Sequence, residues 1–116
     1  YKIYKISVKK EWFDFIVSGK KIIEGRLNKG IFKNLRKGDM VIWQESGAKN
    51  FVYTRVVQKN QQKTFGDLIE NVGIQNILPS KTTLDDGIAV YRQYYSEKDE
   101  EAHEVVGIYI VNVKVI

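Results

Sequence analysis

Apolar and polar residues alternate along Tyr4-Lys5-Ile6-Ser7-Val8, the two-residue period of a half-buried strand. The period then changes. Lys9 to Ser18 gathers Trp12, Phe13, Phe15, Ile16 and Val17 into one window, which predicts a helix with Gly19 placed to turn the chain just past its end. Lys21 to Leu27 predicts a second strand, and Asn28 to Leu35 a basic loop with one short helical turn. Lys37-Gly38-Asp39 is a turn signal that launches Met40-Val41-Ile42-Trp43 as a buried strand. Ser46-Gly47-Ala48 turns the chain into Phe51 to Gln58, where Val52, Thr54 and Val56 alternate with Phe51, Tyr53, Arg55 and Val57. Thr64 to Ile77 reads as short helices, opened by Thr64 and Asp67 as a variant capping box and ended by Pro79. Thr83 to Tyr95 places Leu84, Ile88, Tyr91 and Tyr95 on one helical stripe. Glu97 to Glu104 reads as a charged loop and Val105 to Ile116 as a long final strand.

Five or six strands with two to four helices inserted around them point to an α+β architecture, and so few twisted strands curl toward a small barrel. No repeat, linker or low-complexity stretch divides the chain, so residues 1–116 are expected to form a single domain. At 43% hydrophobic the chain holds enough apolar surface for a core without staples. It has no cysteine, which removes disulfides, zinc ribbons and thiol nucleophiles together. Its one histidine, His103, removes a multi-histidine metal site and is expected to be structural or solvent-facing. No apolar run approaches the roughly 18 residues of a membrane span, and Tyr1-Lys2-Ile3-Tyr4 does not resemble a secretory leader. The expectation is a cytoplasmic domain with no membrane partner, no metal and no cofactor.

Charge changes the picture more than its total of +5 suggests. Residues 1–63 carry 15 Lys or Arg against 5 Asp or Glu, whereas residues 64–116 carry 4 against 9. Such asymmetry points to an anionic partner for the first half. Lys29, Lys33, Arg36 and Lys37 cluster around Phe32, a mixture suited to phosphate contact and stacking, and equally to a solvated loop. Arg55, beside Tyr53 and Lys59, extends the same basic character. Trp43, Tyr53 and Tyr94 are candidate stacking residues, although aromatics in a small domain commonly fill the core. Glu97-Lys98-Asp99-Glu100-Glu101, even with Asp85 and Asp86, shows no metal-ligand spacing.

The most unusual stretch is Ser18 to Leu27. On a strand, Ile22, Glu24 and Arg26 share one face while Lys21, Ile23, Gly25 and Leu27 share the other. Glu24 and Arg26 then lie roughly 7 Å apart and can pair, and Gly25 between them admits a close approach on the opposite face. From spacing alone this is either a site or a surface ion pair worth under about 1 kcal/mol. A strand end would also bring Lys21 round toward Glu24.

Gly19-x-Lys21-x-x-Glu24-x-Arg26 resembles, at all four positions, the signature of the ASCH domain, a PUA-like β-barrel. Leu35-x-Lys37-Gly38-Asp39, the Thr64-Phe65 helix start, the Tyr94-Tyr95 helix end and Val106-Gly107-Ile108 are similar to small microbial members, so the likeness spans nearly the whole chain. The resemblance implies a cavity in the barrel wall holding Lys21, Glu24 and Arg26, and a role with RNA or nucleotides. Some members act on RNA or on acetylated cytidine. Members resembling acetylcytidine amidohydrolases carry a threonine where this chain has Glu24, and their further acidic residue falls in a region that reads Pro79-Ser80-Lys81 here. A hydroxyl nucleophile is therefore missing at that position.

The expected function is binding of RNA or a nucleotide-like ligand by Lys21, Glu24 and Arg26, with Lys29, Lys33, Arg36, Lys37 and Arg55 adding salt-sensitive affinity for nucleic acid. Two alternatives remain open: a hydrolase of RNA or a modified nucleoside with Lys21 and Glu24 as acid–base partners, and a protein-interaction module without a small ligand.

Overall fold

In the computed structural model, which describes residues 1–113, the chain runs β1 (Ile3–Val8), α1 (Lys10–Val17), β2 (Ile23–Leu27), α2 (Gly30–Asn34), β3 (Met40–Glu45), β4 (Phe51–Gln62), α3 (Phe65–Val72), α4 (Ile74–Ile77), α5 (Leu84–Arg92), α6 (Glu97–His103) and β5 (Val105–Asn112). The strands join in one sheet of order β1-β3-β4-β5-β2, parallel only between β1 and β3. The sheet curls into a half-barrel whose edges are β1 and β2, giving the α+β class expected.

Alternation decides what each face buries. Ile6 and Val8 of β1, Val41 and Trp43 of β3, Val56 of β4, and Ile108 and Ile110 of β5 line the concave face, where Phe13 and Ile16 of α1 close the core. The opposite face of β2 and β5 presents Ile23, Leu27 and Val105 to Phe65, Leu68 and Ile69 of α3, Ile77 of α4 and Tyr91 of α5. Gly25 and Gly107 stand directly opposite each other in this second face. A Cβ on Gly107 would meet a Leu68 methyl at 2.9 Å, and one on Gly25 the Tyr91 hydroxyl at 2.6 Å. The bare backbone there is what lets the helices seat so close to β2.

Local chemistry explains most of the boundaries. The Thr64 side chain accepts the Asp67 N–H at 3.0 Å and opens α3, and Thr83 does the same for α5 with the Asp86 N–H at 3.1 Å. β4 continues past the expected Gln58 to Gln62 because a register shift between Val56 and Gln58 absorbs one residue and lets the strand go on pairing with β5. β2 begins at Ile23, so Lys21 lies before the strand and not on it.

The segment from Glu97 to Glu104, expected as a loop, is instead the helix α6 up to His103. Ser96 and Asp99 form a capping box, with the Asp99 N–H donating to the Ser96 hydroxyl at 3.1 Å and the Ser96 N–H to the Asp99 carboxylate at 2.8 Å. Glu100 turns inward, accepting two N–H bonds from Arg92 at 3.0 Å each and the Phe65 N–H at 3.0 Å. With α4 as a separate short turn, this brings the helices to six where two to four were expected. The expected final strand reaches Asn112, and residues 114–116 of it lie outside the described residues. Among the described residues no helix is long and apolar enough to cross a membrane.

Candidate functional site

The open seam between the sheet edges holds a cavity of about 210 Å³, bordered by Ser7 and Val8 of β1 on one side and Glu24, Gly25 and Arg26 of β2 on the other. Aromatic side chains supply much of the rest: Trp12 from α1, and Tyr91, Tyr94 and Tyr95 from α5 and its end.

Lys21 reaches this cavity because α1 stops and the chain doubles back. Gly19 takes a positive φ of 78°, and the Lys21 N–H then bonds back to the Phe15 carbonyl at 3.0 Å. The Ile22 N–H follows onto the Asn76 carbonyl at 3.0 Å, which ties the linker to α4. The Lys21 side chain is driven inward and only 2% exposed. Its ammonium donates to the Ile23 carbonyl at 2.8 Å and to the Ile77 carbonyl, lies 3.4 Å from Glu24 Oε1, and sits 5.5 Å from the Trp12 ring centroid. The ammonium thus donates two hydrogen bonds to carbonyls and forms an ion pair with Glu24.

Glu24, 7% exposed, stands between two cations, with Arg26 Nη2 3.4 Å from its Oε2. The Arg26 guanidinium carbon lies 4.8 Å from the Phe32 ring centroid, so a face of its plane rests on α2. Burial pushes the Glu24 carboxyl upward, but the charges of Lys21 and Arg26 outweigh that and hold it below its ordinary value. Burial dominates at Lys21 and pulls the ammonium below the usual lysine range against the pull of Glu24. At Arg26 burial acts downward, yet Glu24 first and the tyrosines after it leave the guanidinium raised. The result is a carboxylate held ionised between Lys21 and Arg26.

Tyr91 adds a polar group of another kind. Its ring stacks on Phe65 at 4.0 Å and 7°, and its hydroxyl is fully buried with no hydrogen-bond partner among the described residues. Burial, then the Glu24 charge, raises its pKa well above the ordinary value, so it stays a neutral O–H beside the cavity.

The structure thus brings Lys21, Glu24 and Arg26 together and places the other sequence-derived candidates elsewhere. Lys33, Arg36 and Lys37 border a separate depression with Lys2 and Asp39, at the end of β1 remote from the cavity. Asp39 there accepts the N–H groups of Lys2 at 3.0 Å and Arg36 at 2.9 Å, and these bonds hold its carboxyl below its ordinary value. Lys29 caps the start of α2 with no side-chain bond, and Arg55 donates to the Gly38 carbonyl at 2.7 Å. Trp43 is unavailable for stacking: it is fully buried, and its indole N–H donates to the Thr54 hydroxyl at 2.8 Å. Tyr53 sits outside the cavity, whereas Tyr94 lines it. His103 is exposed.

Trp12, Tyr91 and Tyr95 are the cavity residues that sequence reasoning assigned to helix core. The available signal was the crowding of Tyr91, Tyr94 and Tyr95 at the end of a helix otherwise rich in polar residues.

A sequence model of the ASCH domain matches residues 6–114. The crystal structure of the hypothetical protein PH0355 superposes with a TM-score of 0.87 at 32% identity, covering 96% of this chain and 99% of that one. The solution structure of protein PF0455 from Pyrococcus furiosus gives 0.80 at 29% identity, covering 97% and 99%. The S128A mutant of the ASCH protein from Zymomonas mobilis gives 0.65 at 15% identity, covering 92% of this chain and 66% of that one, a likeness of fold alone. No curated protein matches the chain in sequence.

Proposed function

The chain belongs to the ASCH domain family, generally proposed to bind RNA, and from that premise we propose that its seam cavity binds a nucleotide-like ligand or a single unpaired RNA base. The observation that carries this is the pairing of a buried carboxylate with a guanidinium inside an aromatic-walled cavity of about 210 Å³. That volume is below the roughly 300–1,000 Å³ of drug-sized sites, which suits a base or nucleoside. Glu24, kept ionised, only accepts hydrogen bonds, while Arg26 only donates them. Side by side they match a base edge that offers an amino group next to a carbonyl. The rings of Trp12, Tyr94 and Tyr95 line the cavity and supply aromatic surface for a planar base. Lys21 acts through Glu24: held by two carbonyls, it balances the carboxylate and fixes its position.

The basic residues Lys29, Lys33, Arg36, Lys37 and Arg55 supply non-specific attraction for the phosphates of an RNA from which such a base would come. Hydrolysis is the second reading. It is favoured by Ser7 and Ser46 in the cavity lining, but Lys21 is already committed to two carbonyls and Glu24 and is poorly placed to take a proton.

Calorimetric titration with nucleosides, nucleotides and acetylated cytidine tests the proposal, with turnover followed in the same samples. Saturable binding of at least one nucleoside or nucleotide without turnover is expected. Arg26→Ala should weaken that binding about tenfold or more, the worth of a charge-assisted hydrogen bond. Failure of every compound to bind at millimolar concentration would sink the proposal, and rapid deacetylation abolished by Glu24→Gln would replace it with the hydrolytic one.

A further inference from the structure

The face of the sheet turned away from Glu24 and Arg26 is covered over only half its width. The helices α3 to α5 pack over β2 and β5. On the other half, Ile3 is 68%, Phe51 41% and Val111 48% exposed, an apolar surface of a kind that soluble proteins usually cover or use. The strand register puts Lys5, Ile42 and Tyr53 in one cross-strand row of this face and Met40, Arg55 and Val111 in another.

We propose that this outward face of β1, β3 and β4 is a stacking platform for single-stranded RNA, separate from the cavity. Phe51 and Tyr53 stand two residues apart on β4 and so share the face roughly 7 Å apart, within reach of neighbouring bases in an extended strand. Two cations flank them. The Lys5 ammonium lies 4.6 Å from the Phe51 ring centroid, and Arg55 is held in place by the Gly38 carbonyl at 2.7 Å. No Asp or Glu occupies the outward positions of β1, β3 or this part of β4. A face with aromatic rings, cations and no carboxylate complements a chain of planar bases and phosphates.

The same charge pattern argues against a second copy of the protein as the occupant. A two-fold contact through this face would set its cations against the same carboxylate-free face of the other copy. The aromatic and charge pattern carries the platform by itself; that the strand is RNA rests on the reading of the cavity given above.

The test uses a labelled oligouridylate of about ten nucleotides, within the site sizes such surfaces cover, at low salt. Fluorescence anisotropy reads RNA affinity, nucleoside titration reads the cavity, and light scattering reads the assembly state. Phe51→Ala should weaken RNA binding between about fivefold and a hundredfold, as loss of one stacked base does. Phe51→Leu keeps the apolar bulk and removes the ring, so it should show the same loss while leaving the melting temperature and nucleoside binding unchanged. RNA binding that survives both Phe51 variants but is lost in Glu24→Gln overturns the platform and leaves the cavity reading standing. RNA binding lost in the Phe51 variants, with no nucleoside bound by the native protein, does the reverse. A native dimer that Phe51→Ala dissociates, or no RNA binding by the native protein, also overturns the platform.

Discussion

Glu24 concentrates the electrostatics of the molecule in one side chain. Its folded pKa lies below the ordinary carboxylate value, so the stability it confers is complete above that range and is lost as pH falls through the folded pKa. Lys21 works in the other sense: burial makes it bind its proton less tightly when folded, so stability rises as pH climbs from its folded pKa toward the ordinary lysine range. Glu24→Gln leaves the buried Lys21 and the partly buried Arg26 without the carboxylate between them and should cost about 3–5 kcal/mol at neutral pH, measured by chemical denaturation. The variant should also show a flatter fall in stability on acidification. An acid limb as steep as that of the native protein would mean that other carboxylates, Asp39 and Asp99 among them, govern it.

Among the elements, α6 shows how one buried carboxylate organises several helices. Glu100 joins Arg92 of α5 to the first N–H of α3, so three helices meet at one side chain. Glu100→Ala should destabilise the protein by about 1.5–3 kcal/mol in a denaturant melt, the range for hydrogen bonds to a charged group. Loss of less than a few tenths of a kcal/mol would show that water replaces the carboxylate. The same helix explains why the segment reads as a loop in the sequence. Glu97 to Glu101 has the composition of a solvated run, and although the Ser96–Asp99 capping box is a local signal, the inward turn of Glu100 depends on Phe65 far along the chain. Conversely, α3 was legible because Thr64 caps it locally, and α5 because Leu84, Ile88, Tyr91 and Tyr95 form one helical stripe.

At the scale of the whole molecule, the cations of residues 1–63 include those of β1, α2 and the turn before β3, and Lys29 at the start of α2 lies near enough to Asp99 of the acidic helix α6 to act on its charge. If RNA binds as proposed, its affinity should fall steeply with salt, by roughly 0.7 in log K per phosphate contacted for each unit of log salt. Anisotropy titrations from about 50 to 200 mM salt measure this slope. A flat dependence would remove phosphate contact from the basic surface and leave only the uncharged part of the interaction.

The sequence alone determined the order and kind of most elements, since period, turn residues and caps are local, and it singled out Lys21, Glu24 and Arg26 through the spacing that resembles the ASCH signature. It did not determine how those three meet. On a strand Lys21 would point away from Glu24; only the positive-φ turn at Gly19 and the late start of β2 at Ile23 swing its ammonium to within 3.4 Å of the carboxylate. Nor did it separate Trp43, sealed in the core, from Trp12, Tyr91 and Tyr95, which wall the cavity, because an aromatic carries the same local pattern in both places. Which ring is covered depends on the closure of a half-barrel between β1 and β2, strands that are not bonded to each other and lie at opposite edges of the sheet order. Contacts between such distant segments have no local signature, so tertiary structure alone places the cavity in the seam.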